Sequence, residues 1–222
     1  LGLDVTLIDP EENPGGECLY RGCIPTKALL HLVKVKHSAA NADSTGIYFE
    51  LPRIELEEIV RWKDSVVKKL TGGLGQLVKA RKINYIQGMA RFLDPRSVEV
   101  ETVSGKRRKI SFGKAIIATG AKVRDLPDVR INGKEIMGSE EALNLKDIPG
   151  RLLIVGGGYI GLEMAAIYQG LGSEVSITEL TDGFMPGMDR DLVSEFNRMS
   201  KHLFKDVFLE TSVKKVKKTN KN

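Results

Sequence analysis

One stretch constrains this chain more than any other: an apolar run that stops on glycines and restarts as a helix. Residues 151–155 read as a buried strand, Gly156-Gly157-Gly158-Tyr159-Ile160-Gly161 as a turn, and 159–171 as the helix that follows. In such a unit Gly156 permits the tight turn, Gly158 lets backbone approach a pyrophosphate, and Gly161 lets the helix pack closely on the strand. The helix amino end then offers unpaired N–H groups and a favourable dipole to phosphate oxygens. A second strand, 175–178, ends at Glu179, about twenty residues on, where a carboxylate can accept both ribose hydroxyls. Strand, turn, helix and acid together predict a dinucleotide site. Glu179 would repel a 2′-phosphate, and Leu180 and Thr181 supply no cation to hold one, so NAD is favoured over NADP.

Elsewhere, 6–8 form a short strand run closed by Asp9-Pro10, which sets Asp9 at a strand's carboxyl end as Glu179 is. Acid–proline pairs also end strands for turn reasons alone. Asn13-Pro14-Gly15-Gly16 is a turn cluster. Helical spacing then predicts helices over 23–37, 54–69 and 74–80, with Trp62, Val66, Val67 and Leu70 as one buried face. Strands are expected at 83–87, 97–102 and 108–112, the last two joined by Ser104-Gly105-Lys106. Residues 115–121 read as a buried strand ending on Gly120. Residues 122–150 are turn-rich and suit a connection between domains. A helix over 190–201 and a strand over 207–210 complete the pattern.

The totals are those of an ordinary globular chain, 41% hydrophobic and 28% charged, and no run approaches the ~20 apolar residues of a membrane span. The net charge of +5 is scattered apart from Lys214-Lys215-Val216-Lys217-Lys218. That cluster reads better as a solvated strand face than as a nucleic-acid patch. The chain begins without Met and runs at once into a strand, as if entered midway; no signal peptide is visible.

The two cysteines, Cys18 and Cys23, are too few for a disulfide scaffold or a four-ligand zinc site, and His31 and His37 add no common zinc spacing. Redox work, coincidence and buried structural thiols stay open on composition alone. Near a helix amino end a thiolate is stabilised and exchanges readily with dithiols.

The segments Gly15-Gly16-Glu17-Cys18-Leu19-Tyr20-Arg21-Gly22-Cys23-Ile24-Pro25-Thr26-Lys27, Ala118-Thr119-Gly120 and Gly156-Gly157-Gly158-Tyr159-Ile160-Gly161-Leu162-Glu163 together resemble the pyridine nucleotide–disulfide oxidoreductases. The likeness is greatest to the branch that oxidises dihydrolipoyl groups. It covers nearly the whole chain, including Lys27-Ala28-Leu29-Leu30-His31 and Leu70-Thr71-Gly72-Gly73-Leu74, which carry no chemistry. The resemblance implies an α/β fold of two Rossmann-like dinucleotide-binding domains, FAD/NAD(P)-binding and three-layer ββα, both incomplete in this chain. Residues 1–148 would be the FAD-binding domain, lacking its first strand–glycine turn–helix segment, and 149–222 the N-terminal half of the NAD-binding domain.

By the same resemblance, Cys18 is the interchange thiol, Cys23 the thiol next to the flavin, and the two form a redox disulfide. Lys27 lies at the flavin and pairs with Glu163. Asp9, where relatives more often have Glu, binds the adenosine ribose of FAD; Gly15 and Gly16 line its pyrophosphate, Ala90 meets the adenine, and Thr119 and Gly120 close the flavin site. Gly156, Gly157, Gly158, Tyr159, Ile160, Gly161, Glu179 and Val213 hold NAD. The implied substrate is the lipoyl domain of 2-oxo acid dehydrogenase complexes, and the implied assembly a homodimer. The implied compartment is the bacterial cytoplasm or, failing that, the mitochondrial matrix. The family's catalytic base is a C-terminal His–Glu pair from the partner subunit, a context that none of His31, His37 or His202 occupies, so these 222 residues alone are expected to be inactive. Tyr20-Arg21 departs from the usual Asn-Val, Thr26 replaces Ser, and Tyr159 resembles the gating tyrosine of the glutathione-reducing branch. The rival expectations are a reductase of glutathione or mercuric ion, and a non-catalytic protein on a vestigial flavoenzyme fold.

Overall fold

The computed structural model describes residues 2–127 and 129–218; Leu1, where the strand-first start is read, lies outside them. The chain divides into two compact units, Leu1–Tyr20 with Asp64–Ala121, and Arg21–Lys63 with Lys122–Asn222. The architecture is mixed α/β with parallel strands in both sheets, as the sequence leads one to expect.

In the first unit, β1 (Thr6–Asp9) lies parallel to β2 (Asn84–Asp94), which continues antiparallel into β3 (Ser97–Thr102) and β4 (Arg107–Ser111). Val98, Val100 and Ile86 alternate onto one face and form its small core, with Ile8, Ile110 and Phe112 at the margin. β2 runs well past the predicted 83–87, because Met89 to Phe92 find partners in β3.

The second unit is built on a parallel sheet, β5 (Arg151–Val155), β6 (Glu174–Thr178) and β7 (Asp206–Phe208), in that order. Helix α5 (Tyr159–Leu171) packs on it, and its buried side chains include Leu162, Ala165, Ile167 and Tyr168. Leu29 from α2 (Cys23–Ala40), Val175 and Ile177 from β6, and Phe184 and Phe204 complete this core. Each fully buried Leu, Ile, Val or Phe of this core contributes ~1.5–3 kcal/mol, which anchors α5 firmly on the sheet. A short helix α4 (Ser139–Leu143), unforeseen in the turn-rich 122–150, docks here through buried Ala142 and Leu143. The Tyr168 hydroxyl donates to the Ala142 carbonyl at 2.8 Å; burial, and to a lesser degree the charge of Asp147, push this phenol up to about 12.

Four expectations need correction. The helices predicted at 54–69 and 74–80 are one helix, α3 (Leu56–Ala80), running through Gly72, Gly73 and Gly75. A glycine costs about 1 kcal/mol in a helix interior, and here neither that cost nor their number breaks the ladder. The face on α3 is not a core: Trp62 and Leu70 are exposed, and the buried positions are Lys63, Thr71 and Gly75. Residues 115–121 form no strand. They find no neighbouring strand to take their backbone hydrogen bonds among the described residues, so Ile116 stays 94% exposed. Finally, the basic stretch 214–218 has no strand structure among its described residues; Lys218 pairs with Glu135. No described helix is long and apolar enough to cross a membrane.

Candidate active site and dinucleotide turn

The glycine turn stands where the sequence puts it, between β5 and α5. Gly156 has φ +109°, which an L side chain rarely adopts. A Cβ on Gly161 would lie 2.1 Å from the Gly156 carbonyl oxygen, so any side chain there forces helix and turn apart. Gly158 is the N-cap of α5 and makes no side-chain capping bond. Nothing lies within 4 Å of where its Cβ would be, so the approach to the helix amino end is open. Tyr159 and Ile160 are exposed at the same end.

Glu179 follows β6 and is buried. Its Oε2 accepts the Gly157 N–H at 2.6 Å, while Oε1 accepts the Thr181 N–H at 2.8 Å and the Thr181 hydroxyl at 2.9 Å. Burial pushes this carboxyl up, but those hydrogen bonds outweigh it and hold the group below its ordinary value of 4.5. The acid is thus charged and tied to the turn. Thr181 was not singled out from the sequence; a threonine two residues after an acid is the signal that could have found it. Val213 belongs to no strand, but the chain just before it is held to β6: Thr178 Oγ1 donates to the Thr211 carbonyl and Thr211 N to the Glu179 carbonyl. An open helix end beside a buried, ionised acid fits a nicotinamide dinucleotide.

Both cysteines are disulfide-bonded, and as the chain has no others the bridge joins Cys18 to Cys23. Cys18 lies in α1 (Gly16–Arg21), a turn of helix missed in sequence, and is exposed; Cys23 opens the 18-residue α2 and is half-buried. α2 has no side-chain N-cap, and the dipole at its amino end would stabilise a thiolate at Cys23. One turn on, Lys27 Nζ donates to Glu163 Oε1 at 3.2 Å. Lys27 is 61% exposed and Glu163 30%, so the pair adds little to stability.

In the first unit, Asp9 Oδ1 accepts the Glu11 N–H at 2.9 Å, a local turn bond. A carboxylate has about four lone-pair sites, so Asp9 can still accept a ribose hydroxyl. The Tyr85 phenol beside it donates to the Glu11 carbonyl. Burial, with help from Asp9, Tyr20 and Glu11, pushes it up to about 12. Gly15 and Gly16 lead into α1, and Ala90 sits in β2 opposite Val100. Thr119 and Gly120 lie in the exposed stretch without strand structure. Among the described residues, no group of three or more His, Cys, Asp or Glu could hold a metal ion.

Parallel strands, a glycine turn, a buried acid tied to it and a cystine at a helix mouth define a class of protein. The chain belongs to the pyridine nucleotide-disulphide oxidoreductase family, which it matches over residues 1–222. A dihydrolipoyl dehydrogenase of Haemophilus influenzae is 43% identical over 213 residues, which is 96% of this chain and 44% of that protein. Dihydrolipoyl dehydrogenase 2, mitochondrial, of Arabidopsis thaliana is 38% identical over 214 residues, 96% of this chain and 42% of that protein. Among solved structures, LpdA from Mycobacterium tuberculosis matches with a TM-score of 0.84 at 21% identity, covering 93% of this chain and 45% of that one; it speaks to the fold alone. The HOCl-induced flavoprotein disulfide reductase RclA from Escherichia coli matches with a TM-score of 0.77 at 29% identity, covering 96% and 45%. The chain therefore spans a little under half the length of the relatives it matches.

Proposed function

We propose that the intact protein is a dihydrolipoyl dehydrogenase. The observation that carries this is the Cys18–Cys23 disulfide set at the mouth of α2, with residue Cys18 exposed and residue Cys23 half-buried. The names of the dihydrolipoyl dehydrogenase relatives support a dihydrolipoyl group as substrate; in this proposal that group is carried on the lipoyl domain of a 2-oxo acid dehydrogenase complex.

In this reading a substrate thiolate attacks the exposed Cys18 sulfur and expels the Cys23 thiolate. The second substrate thiol then closes the lipoyl ring and releases Cys18. One disulfide is reduced, one forms, and the protons leave to solvent. The helix dipole and Lys27 stabilise the thiolate at Cys23. Bound FAD supplies the electron sink for the dithiol, and NAD⁺ is the final hydride acceptor. FAD would be held by Asp9 at its ribose, by Gly15 and Gly16 at its phosphates, and by Lys27, Ala90, Thr119 and Gly120. NAD would be held by residues 156–161, Glu179 and Val213. Glu163 orients Lys27.

A domain division at 148/149 is kept in this proposal, with FAD on the earlier residues and NAD on the later. The assembly is a homodimer. The setting is a bacterial cytoplasm, with the mitochondrial matrix as the alternative that the Arabidopsis relative supports.

The test is an absorbance titration of the full-length protein with dihydrolipoamide, repeated on Cys18→Ser and Cys23→Ser. The expected result is bound flavin and a long-wavelength band that requires Cys23. Bound flavin without a thiol-dependent band would remove the disulfide chemistry and leave the fold. Absence of flavin would favour the non-catalytic reading.

A further inference from the structure

We infer that Arg21, held by Glu140, sets the thiolate content and the reduction potential of the Cys18–Cys23 pair; this rests on the disulfide chemistry proposed above. Arg21 lies inside the ring that the disulfide closes, three residues after Cys18 and two before Cys23. Cys18 and Arg21 share α1, and an i,i+3 spacing puts them on one face of it. The Arg21 Nε donates to Glu140 Oε1 at 3.2 Å.

Glu140 is not a loosely placed partner. It stands in the first turn of α4, whose start is tied by Glu141 Oε2 accepting the Gly138 N–H at 2.9 Å. The next residues of α4, Ala142 and Leu143, are buried in the core. That anchored turn carries the carboxylate to which Arg21 donates.

The charges around the dithiol make a pattern. Lys27 follows Cys23 by one turn of α2 and is paired with Glu163 on α5. Arg21 follows Cys18 by one turn of α1 and is paired with Glu140 on α4. Glu17, next to Cys18, is the further anion on α1. Each sulfur thus has a cation one turn away, and each cation has a carboxylate that draws off part of its field. Arg21–Glu140 is solvent-facing, with side chains 37% and 50% exposed, so it contributes little to stability. Its leverage is on charge. Reduction of the disulfide by two electrons gives thiols that ionise, and a neighbouring cation stabilises the thiolate and hence the reduced form. Arg21 raises the potential and speeds exchange; Glu140 restrains both.

The test is redox equilibration of the intact protein in dithiothreitol buffers at neutral pH, with the rate of iodoacetamide alkylation of Cys18 in the reduced state. Arg21→Gln is expected to shift the equilibrium toward the disulfide and slow alkylation, each about threefold, and Arg21→Lys to restore most of both. Glu140→Gln is expected to move both the opposite way by a similar factor, but only while Arg21 is present. High salt should shrink every difference. Glu140→Gln acting in the same direction as Arg21→Gln, acting equally in the Arg21→Gln background, or leaving both readouts unmoved would overturn the inference. Circular dichroism of each variant separates misfolding from a charge effect. Because the reductant is chemical, the inference is read even if dihydrolipoamide fails to reduce the wild-type protein, which would sink the proposed substrate instead. If dihydrolipoamide reduces the protein while all variants match it, the function stands and the role of Arg21 falls.

Discussion

Two acids at the carboxyl ends of parallel strands look alike in sequence and are held in unlike ways. Glu179 is buried and accepts three hydrogen bonds, one of them from the glycine turn on the neighbouring strand's exit. Asp9 is half-buried and accepts one, from a residue two places along its own turn. Among the described residues, β6 lies between β5 and β7, whereas β1 pairs with β2 alone. The difference teaches that a carboxylate's position in the strand pattern says where it is, while its donors say how firmly it is aimed. Among the described residues, Glu179 is tied to the glycine turn beside it and Asp9 to its own turn.

That contrast can be broken at several points. The largest effect should come from Gly161→Val, whose Cβ would fall 2.1 Å from the Gly156 carbonyl oxygen and 3.1 Å from Ile154 Cγ2. A loss of about 3 kcal/mol or more is expected in thermal unfolding, and a drop of under about 1 kcal/mol would mean the turn is far more compliant than its geometry.

Glu179→Gln comes next. An amide cannot accept at both ends, so its NH2 must face either the Gly157 N–H or the Thr181 N–H, leaving a buried donor unpaired at a cost of about 1–3 kcal/mol. NAD⁺ binding, followed by calorimetry, should weaken on the order of tenfold. The acid also carries a pH signature. Its folded-state value lies below the ordinary 4.5, so its contribution is complete above 4.5 and fades as pH falls through the folded value. Acid titration of stability should show this loss in the wild type and lack it in Glu179→Gln; parallel curves would remove the assignment.

Lys27→Gln should leave the unfolding free energy within about 1 kcal/mol of wild type, since its ion pair with Glu163 is solvent-exposed. Its effect should instead appear as slower flavin reduction by dihydrolipoamide in stopped flow. The smallest change is expected for Asp9→Asn, because an asparagine oxygen still accepts the Glu11 N–H: about 0.5 kcal/mol or less by urea unfolding. A larger loss would mean that Asp9 is anchored as Glu179 is.

Much of this was legible beforehand, for reasons visible residue by residue. β5 and α5 carry their own boundaries: an apolar run, three glycines, then helical spacing to Leu171. Lys27 and Glu163 meet as the family resemblance implies. What escaped was set by neighbours rather than by local pattern. Gly72 and Gly73 suggested a break that α3 overrides. The apolar run at 115–121 promised a strand, yet a strand exists only where another presents its edge. Arg21 departs from the family pattern, but its partner lies 119 positions away, and no spacing rule reaches that far.

The bond from Gly157 to Glu179 has a consequence for any attempt to redesign cofactor choice. The group that would read the sugar and the loop that would cradle the phosphates are a single mechanical part, because the first is a hydrogen-bond acceptor for the second. Replacing the acid by a small or basic residue to admit a 2′-phosphate would unlatch the loop in the same stroke. A switch of coenzyme in this protein therefore has to be made at two places together, with a new acceptor supplied to Gly157 before the old one is taken away.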